Sequence, residues 1–428
     1  MTRVFCSPKD HIPKKREAGV EYVSMYEHDG LPDVSTVGTA LIKDIVASGV
    51  APSTNSWDFL TLALAVNAAD NLLERAPSPD GWTRQIELEV VLYEPEAYQA
   101  LAKDIEHALR FLTGDFWVLT FVEGGYPPPR PKAPVRFDAD CVCLLSGGLD
   151  SLIGALNLIE EGRQPLLVSQ TAKGDKETQS LFATGLGGTE RHLQWNQNIR
   201  PKVEDIEGST RGRSIGFFAF AAVAADHLAT VRPDLPTPVD VFVPENGLIS
   251  LNVPLNPGRV GSLSTKTTHP VFMARLQKLW DALGIPAVLR LPYAAKTKGE
   301  MMAECRVPDV LAQVASQATS CGRFVRNGYK HCGRCVPCLV RRASFIRAGI
   351  VDDTSYVYPM LRGAQLDNDP NDIGAVAAAV LKVEQNGVRV FTAGQLAFAE
   401  PSRRREFEGV VQRGLAELGV LMRQQRVL

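Results

Sequence analysis

Apolar and polar positions along the chain change rhythm after its first third. Trp57 to Arg75 (WDFLTLALAVNAADNLLER) spaces its apolar residues for a helix, leaving Asp70, Glu74 and Arg75 for a wetter face. Ile86 to Leu92 alternates as a half-buried strand does. A helix is predicted from about Pro95 to Phe111, and Phe116 to Val122 is a β-branched and aromatic strand. These elements predict a small α+β module over residues 1–125. It contains no cluster of polar residues that suggests catalysis, so it reads as a packing or partner-docking module. Gly124 to Pro134 (GGYPPPRPKAP) then breaks every period, because prolines lack a backbone donor and restrict the residue before them. Residues 126–136 are therefore expected to be an extended linker.

Beyond it, apolar runs alternate with helical spacing. Cys141 to Leu145, Pro165 to Ser169, Arg191 to Trp195 and Val239 to Val243 are predicted strands. Ser151 to Glu161, Lys176 to Phe182 and Ile215 to Leu228 are predicted helices, the last buried. Such alternation predicts an α/β fold over residues 137–350, with a parallel sheet and helices on both faces. Residues 351–428 read as a helical extension, with Ile373 to Gln385 and Arg403 to Arg423 as its main segments.

Composition narrows the options. The chain has 428 residues, 45% apolar and 22% charged, as ordinary globular proteins do. A net charge of −2 removes any whole-protein attraction to nucleic acid or membrane. The N-terminal residues lack an apolar signal core, and the longest apolar run, Ile215 to Ala225, is too short to cross a bilayer. A cytoplasmic location is the expectation. Eight cysteines could form disulfides, but four crowd into one segment, which favours metal binding in such a compartment.

The first chemical candidate is Ser146-Gly147-Gly148-Leu149-Asp150-Ser151, where the first strand after the linker meets its helix. Glycines let the backbone approach a ligand closely, and the first amides of a helix attract phosphate oxygens. Ser146 and Ser151 add hydroxyls, and Asp150 suits a magnesium ion bridging to a nucleotide such as ATP. A plain Gly-Gly turn capped by Asp150 or Ser151 is the ligand-free alternative.

The second candidate is Cys321, Cys332, Cys335 and Cys338, in the pattern C-x₁₀-C-x₂-C-x₂-C. Four thiolates suit a closed, structural Zn²⁺ site, with an iron–sulfur cluster, free thiols or His331 as a replacement ligand as alternatives. Arg323, Arg326, Lys330, Arg334, Arg341, Arg342 and Arg347 surround it without an acidic residue between Cys321 and Ile350. That run fits either ordinary solvation around an anionic centre or a platform for an anionic substrate or RNA.

The SGGxDS loop resembles the pyrophosphatase loop of the N-type ATP pyrophosphatases (PP-loop proteins), whose fold is similar to that of the adenine nucleotide alpha hydrolases. Paired with CGxCxxC at Cys332 to Cys338, it resembles the QueC family of 7-cyano-7-deazaguanine synthases over about Phe137 to Gly349. The resemblance implies cleavage of ATP to AMP and pyrophosphate, adenylation of a 7-deazapurine carboxylate, and a structural zinc. Thr210 to Ser214 (TRGRS) looks like the family's P-G-R-N segment, which implies that Arg213, and with it Arg211, meets phosphate or substrate. Lys296 to Glu300 (KTKGE) is similar to its K-x-K-x-E stretch, implying that Lys296 and Lys298 neutralise the leaving group. Glu245 and Asn246 follow a strand at the sheet edge where ligands of such folds bind. The chain departs from the family in its first module, its tail, Ser214 in place of asparagine, and the missing aspartate-tyrosine-proline stretch near Ser262 to Pro270. Its layout is similar to the QueC-like proteins of bacterial antiphage operons, the QatC group among them. This implies conjugation of the activated carboxylate to an amine, with a partner protein from the same operon as one acceptor. A tRNA-modifying enzyme of the same superfamily and a non-catalytic nucleotide-binding scaffold are the alternatives.

Overall fold

The computed structural model describes residues 2–27, 31–171, 174–256, 266–362 and 371–428. The first part contains β1 (Thr2–Ser7), β2 (Val20–Met25), β3 (Ser35–Val37), α1 (Leu41–Ala47), α2 (Thr54–Leu72), β4 (Gln85–Leu92), α3 (Glu96–Ala100), α4 (Ala102–Thr113) and β5 (Phe116–Glu123). The next contains β6 (Cys141–Leu144), α5 (Leu149–Glu160), β7 (Pro165–Gln170), α6 (Lys176–Gly185), β8 (His192–Trp195), α7 (Arg213–Val231), β9 (Val239–Phe242), α8 (Gly247–Ser250), α9 (Pro270–Ala282) and β10 (Ala287–Arg290). The chain continues through α10 (Lys298–Ala303), α11 (Pro308–Val314), α12 (Val336–Ala348), α13 (Ile373–Asn386), α14 (Val388–Thr392) and α15 (Pro401–Gln424).

Among the described residues these strands make two five-stranded sheets, ordered β3-β2-β1-β4-β5 and β10-β9-β6-β7-β8. Every strand pair in both is parallel. This corrects the α+β expectation for residues 1–125. Periodicity found β4 and β5 but passed over three short strands, whose parallel pairing with one another and with β4 makes the sheet. The α/β expectation for the second sheet agrees with the observed topology. Both sheets reverse direction of build between their first and fourth strands in chain order, the place where open parallel sheets leave a crevice.

One apolar core runs through both sheets, joined by α2 packed against α7. Each of these helices is apolar nearly all round because each has a sheet on one side and the other helix on the opposite side. α7 is longer than the apolar run suggested. It is the one described helix with the length and apolarity of a membrane span, and 72% of that span is buried inside the protein. Asp70 and Arg75, expected on a wet helix face, are instead buried with Arg84 and Asp115 in a four-residue ion network. Asp70 also accepts from the backbone amides of Arg211 and Gly212, so the first module holds the turn that leads into α7.

The proline-rich stretch forms no described helix or strand and is pinned on both sides. Trp57 Nε1 donates to the Tyr126 carbonyl at 2.7 Å, and the Val135 carbonyl lies 2.9 Å from His227 Nε2. The far face of the second sheet carries α5, α6 and α10 to α12 over a separate apolar cluster. A further cluster joins α8 and α12 to α13–α15, where the expected C-terminal helices lie.

Candidate functional site

β6 ends at Leu144 in the middle of its sheet, and the chain turns through Ser146–Gly148 into α5. Gly147 has φ +84°, a conformation that side chains with a Cβ disfavour, so glycine is required for this turn. The loop closes on itself. Ser146 N donates to Ser151 Oγ at 3.2 Å, Gly148 N donates to Ser146 Oγ at 3.2 Å, and Ser151 Oγ donates to the Gly148 carbonyl at 2.9 Å. Gly148 occupies the cap of α5 and no side chain caps its amides. Neither Asp150 nor Ser151 plays the N-cap role of the ligand-free alternative.

Asp150, in the first turn of α5, is 6% exposed. Its Oδ1 accepts from Lys298 Nζ at 2.5 Å, and its Oδ2 accepts from Asn246 N at 3.2 Å and Asn246 Nδ2 at 2.7 Å. Burial works against charge on this carboxyl, but the ammonium of Lys298 together with hydrogen bonds from Glu245, Lys298 and Asn246 outweighs it and holds Asp150 below its ordinary range. Glu245 beside it is pushed far up, first by burial and then by the negative charge of Asp150. Asn246 ties the pair together, donating to Glu245 Oε1 at 3.0 Å while its own Oδ1 caps α8 by accepting from Ile249 N. Glu245 and Asn246 follow β9, which lies next to β6, so the two loops face one another across the crevice at the switch in strand order.

A cavity of about 250 Å³ opens there, lined by Ser146, Gly148–Ser151, Glu245 and Lys298. Thr319, Ser320 and Pro337 close its far side. Sequence reasoning missed these three; their nearness to Cys321 and Cys338 was the signal available. Thr319 N donates to the Gly147 carbonyl at 2.9 Å, so the segment entering the cysteine cluster is bonded to the loop itself.

Of the expected residues, Gly147 and Asn246 adjoin the lining without being part of it, and three more do not reach the cavity. Lys296 is half-buried and pairs with Glu304 at 2.7 Å. Arg213 opens α7 on an exposed face, and Arg211 is buried with its guanidinium 4.6 Å above the Trp82 ring. Burial, with Arg75 nearby, lowers the Arg211 pKa to about 10. The start of α7 faces the first module, which the local motif could not reveal. Part of the Ser262 to Pro270 stretch lies outside the described residues.

Cys321, Cys332, Cys335 and Cys338 are all buried, with their sulfurs within 4.8 Å of one another. Cys321 and Cys335 sulfurs are 3.9 Å apart and those of Cys332 and Cys338 are 3.8 Å apart. Tetrahedral Zn–S bonds of about 2.3 Å separate sulfurs by about 3.8 Å, whereas a disulfide needs about 2.05 Å. Backbone amides support the charged form: Arg323 N and Cys332 N donate to Cys321 Sγ, and Arg334 N and Cys335 N donate to Cys332 Sγ. The cluster could hold a metal ion such as zinc. His331 Nε2 instead accepts from Ser320 N at 3.1 Å, which engages that nitrogen away from the cluster. Nor is the basic run an open surface throughout. Arg341 is fully buried and donates to the Ala315 and Ala318 carbonyls, and Arg334 is 3% exposed.

Fold and site define a two-sheet parallel α/β protein with a helical C-terminal region, a loop-and-helix cavity at a strand-order switch, and a four-cysteine cluster whose flanking residues Ser320 and Pro337 line that cavity. No family model, curated protein or solved structure matches the chain.

Proposed function

We propose that this cavity holds the phosphates of ATP and that the protein is an adenylating enzyme. The observation that carries this reading is the uncapped start of α5, with Ser146 and Ser151 beside it and the Asp150–Lys298 pair opposite. Free helix amides, hydroxyls and one buried ammonium in a small polar crevice suit a polyphosphate, and the volume suits its tail better than a whole nucleotide. The resemblance to the QueC-like ATP pyrophosphatases supports the same assignment and supplies the substrate class, a 7-deazaguanine-type carboxylate. A carboxylate oxygen attacks the α-phosphorus, the bond to the β-phosphate oxygen breaks, and pyrophosphate leaves. An amine or ammonia then displaces AMP to form an amide or conjugate; nitrile formation and a role in antiphage defence rest on the resemblance alone.

Each residue has a task in that scheme. Amides of the α5 first turn, Ser146 and Ser151 bind the β- and γ-phosphates. Lys298 offsets charge developing on the leaving pyrophosphate, and Asp150 and Asn246 fix its position. Magnesium would neutralise the triphosphate, and the ionised carboxylate of Asp150 is the group suited to hold it. Zinc in the cysteine cluster would be structural, since four thiolates leave no open position.

The test is product analysis by mass spectrometry with MgATP, 7-carboxy-7-deazaguanine and ammonia. Wild-type protein should release AMP and pyrophosphate, and Asp150→Ala should lower that rate about 100-fold or more while the circular dichroism spectrum is retained. Unchanged AMP formation by the variant would remove Asp150 from the chemistry. ATP binding without any AMP would favour the scaffold instead.

A further inference from the structure

Lys298 lies on the first turn of α10, and that turn is gripped from behind by a helix more than a hundred residues later. Thr297 caps α10 and, with Glu300, forms a reciprocal capping box. Both halves of the box have a second partner on α15. Thr297 Oγ1 donates to Glu417 Oε1 at 2.5 Å, and Arg413 Nε donates to Glu300 Oε1 at 2.5 Å. Arg413 also reaches the Ala295 carbonyl at 2.9 Å. Between the two lies Gly299, whose amide bonds to the Glu417 carboxylate. A Cβ on Gly299 would come within 2.7 Å of that carboxyl, so glycine here is a requirement of close approach. The same helix backs the other partner of Asp150. Gly414 packs against Leu248 of α8, the short helix capped by Asn246.

We infer that α15 is a positioning element of the cavity, with Glu417 and Arg413 holding the Thr297–Glu300 turn so that Lys298 meets Asp150. The inference rests on the reading of the cavity as a phosphate site only for its functional consequence; the effect on Lys298 itself stands apart from it. A lysine side chain ordered in a buried pair loses substantial rotational freedom, and a fixed helix start lowers what that ordering costs. Neither residue touches the cavity, so both act through Lys298. The C-terminal extension thereby becomes part of the site rather than an appendage.

Two readouts on the full-length protein test this. In the first, amine acetylation is followed at each lysine by mass spectrometry. In Glu417→Leu, Lys298 should react about tenfold faster than in wild type. Lys266, half-buried over Phe111 elsewhere, should not change, which separates local release from loosening of the whole fold. Glu417→Gln, whose amide oxygen still accepts from Thr297, should restore protection. If Glu417→Leu does not fold, Gly299→Ala displaces the same carboxyl and should expose Lys298 likewise. In the second readout, calorimetry with magnesium pyrophosphate should show affinity lowered about tenfold in Glu417→Leu and recovered in Glu417→Gln. Lys298 staying protected in both Glu417→Leu and Gly299→Ala would overturn the inference. Deprotection in a protein whose wild type binds no pyrophosphate would uphold the positioning role and sink the phosphate reading instead.

Discussion

Burial pushes the Glu417 carboxyl up to about 7, while its hydrogen bond from Thr297 works in the opposite direction; Glu300 adds to the rise and Arg347 reduces it. Because its folded pKa lies above the ordinary value of 4.5, the folded protein binds more protons than the unfolded chain between about pH 4.5 and 7. This group's contribution to stability is therefore fullest at the acid end and is lost as pH rises through 7. His192, His269 and His331 have folded pKa values depressed to about 4, chiefly by burial, and give the opposite slope below their ordinary 6.5. The difference between wild type and Glu417→Gln isolates the carboxyl. Urea unfolding at a series of pH values should show wild type losing about 2 kcal/mol relative to the variant between pH 5 and 8. A difference that does not vary with pH would mean that Glu417 is ionised throughout.

At the scale of elements, the cysteine cluster and the phosphate-type loop are one mechanical unit. Cys335 caps α12 and Cys338 lies on its first turn, while Cys321 is two residues from Thr319, whose amide holds the Gly147 carbonyl. A metal in the cluster would fix both ends of that connection, and losing it would free the cavity wall as well as the start of α12. Elemental analysis of purified protein is expected to find one zinc per chain, and Cys335→Ser should lose it. The variant should melt at least several degrees lower and bind magnesium pyrophosphate more weakly. Brown protein with visible absorption would assign an iron–sulfur cluster instead.

For the molecule as a whole, the decisive contact is between α2 and α7. Asp70 links it to the buried network by accepting from Arg75, Arg84 and the amides just before α7. Removing one partner of such a network strands the charges that remain, so Asp70→Ala should cost about 3–5 kcal/mol. With one apolar core spanning both sheets, thermal unfolding is expected as a single calorimetric transition in wild type and variant alike. Two resolved transitions would show that the sheets fold independently. A fragment of residues 137–350 alone would expose the α7 surface that α2 covers, and it should aggregate or fail to fold.

Local rhythm was readable in the order of residues because periodicity reports which side of an element avoids water. On that basis β4 to β9, α2, α5, α7, α13 and α15 were legible, as were the turn after β6 and the four-cysteine spacing, whose backbones are contiguous. Periodicity does not say which neighbour covers the dry side. Asp70 looked solvated on its own helix yet is buried against α7, and three short strands became a parallel sheet through partners far along the chain. Motif matching likewise could not show that Arg211 is buried against Trp82, that Arg213 lies near Asp175, or that Lys296 pairs with Glu304. Asp150 and Lys298, separated by 148 residues, meet because α10 packs against α5, while the adjacency of β6 and β9 brings Asn246 to the same carboxylate. Glu417 lies still further along and carried no local signal, since a glutamate on an amphipathic helix reads as solvated until another helix start arrives beneath it. The chemistry of each group was written in its own few residues; their meeting depended on long-range packing, where free energy is gained by burying surfaces that no short window contains.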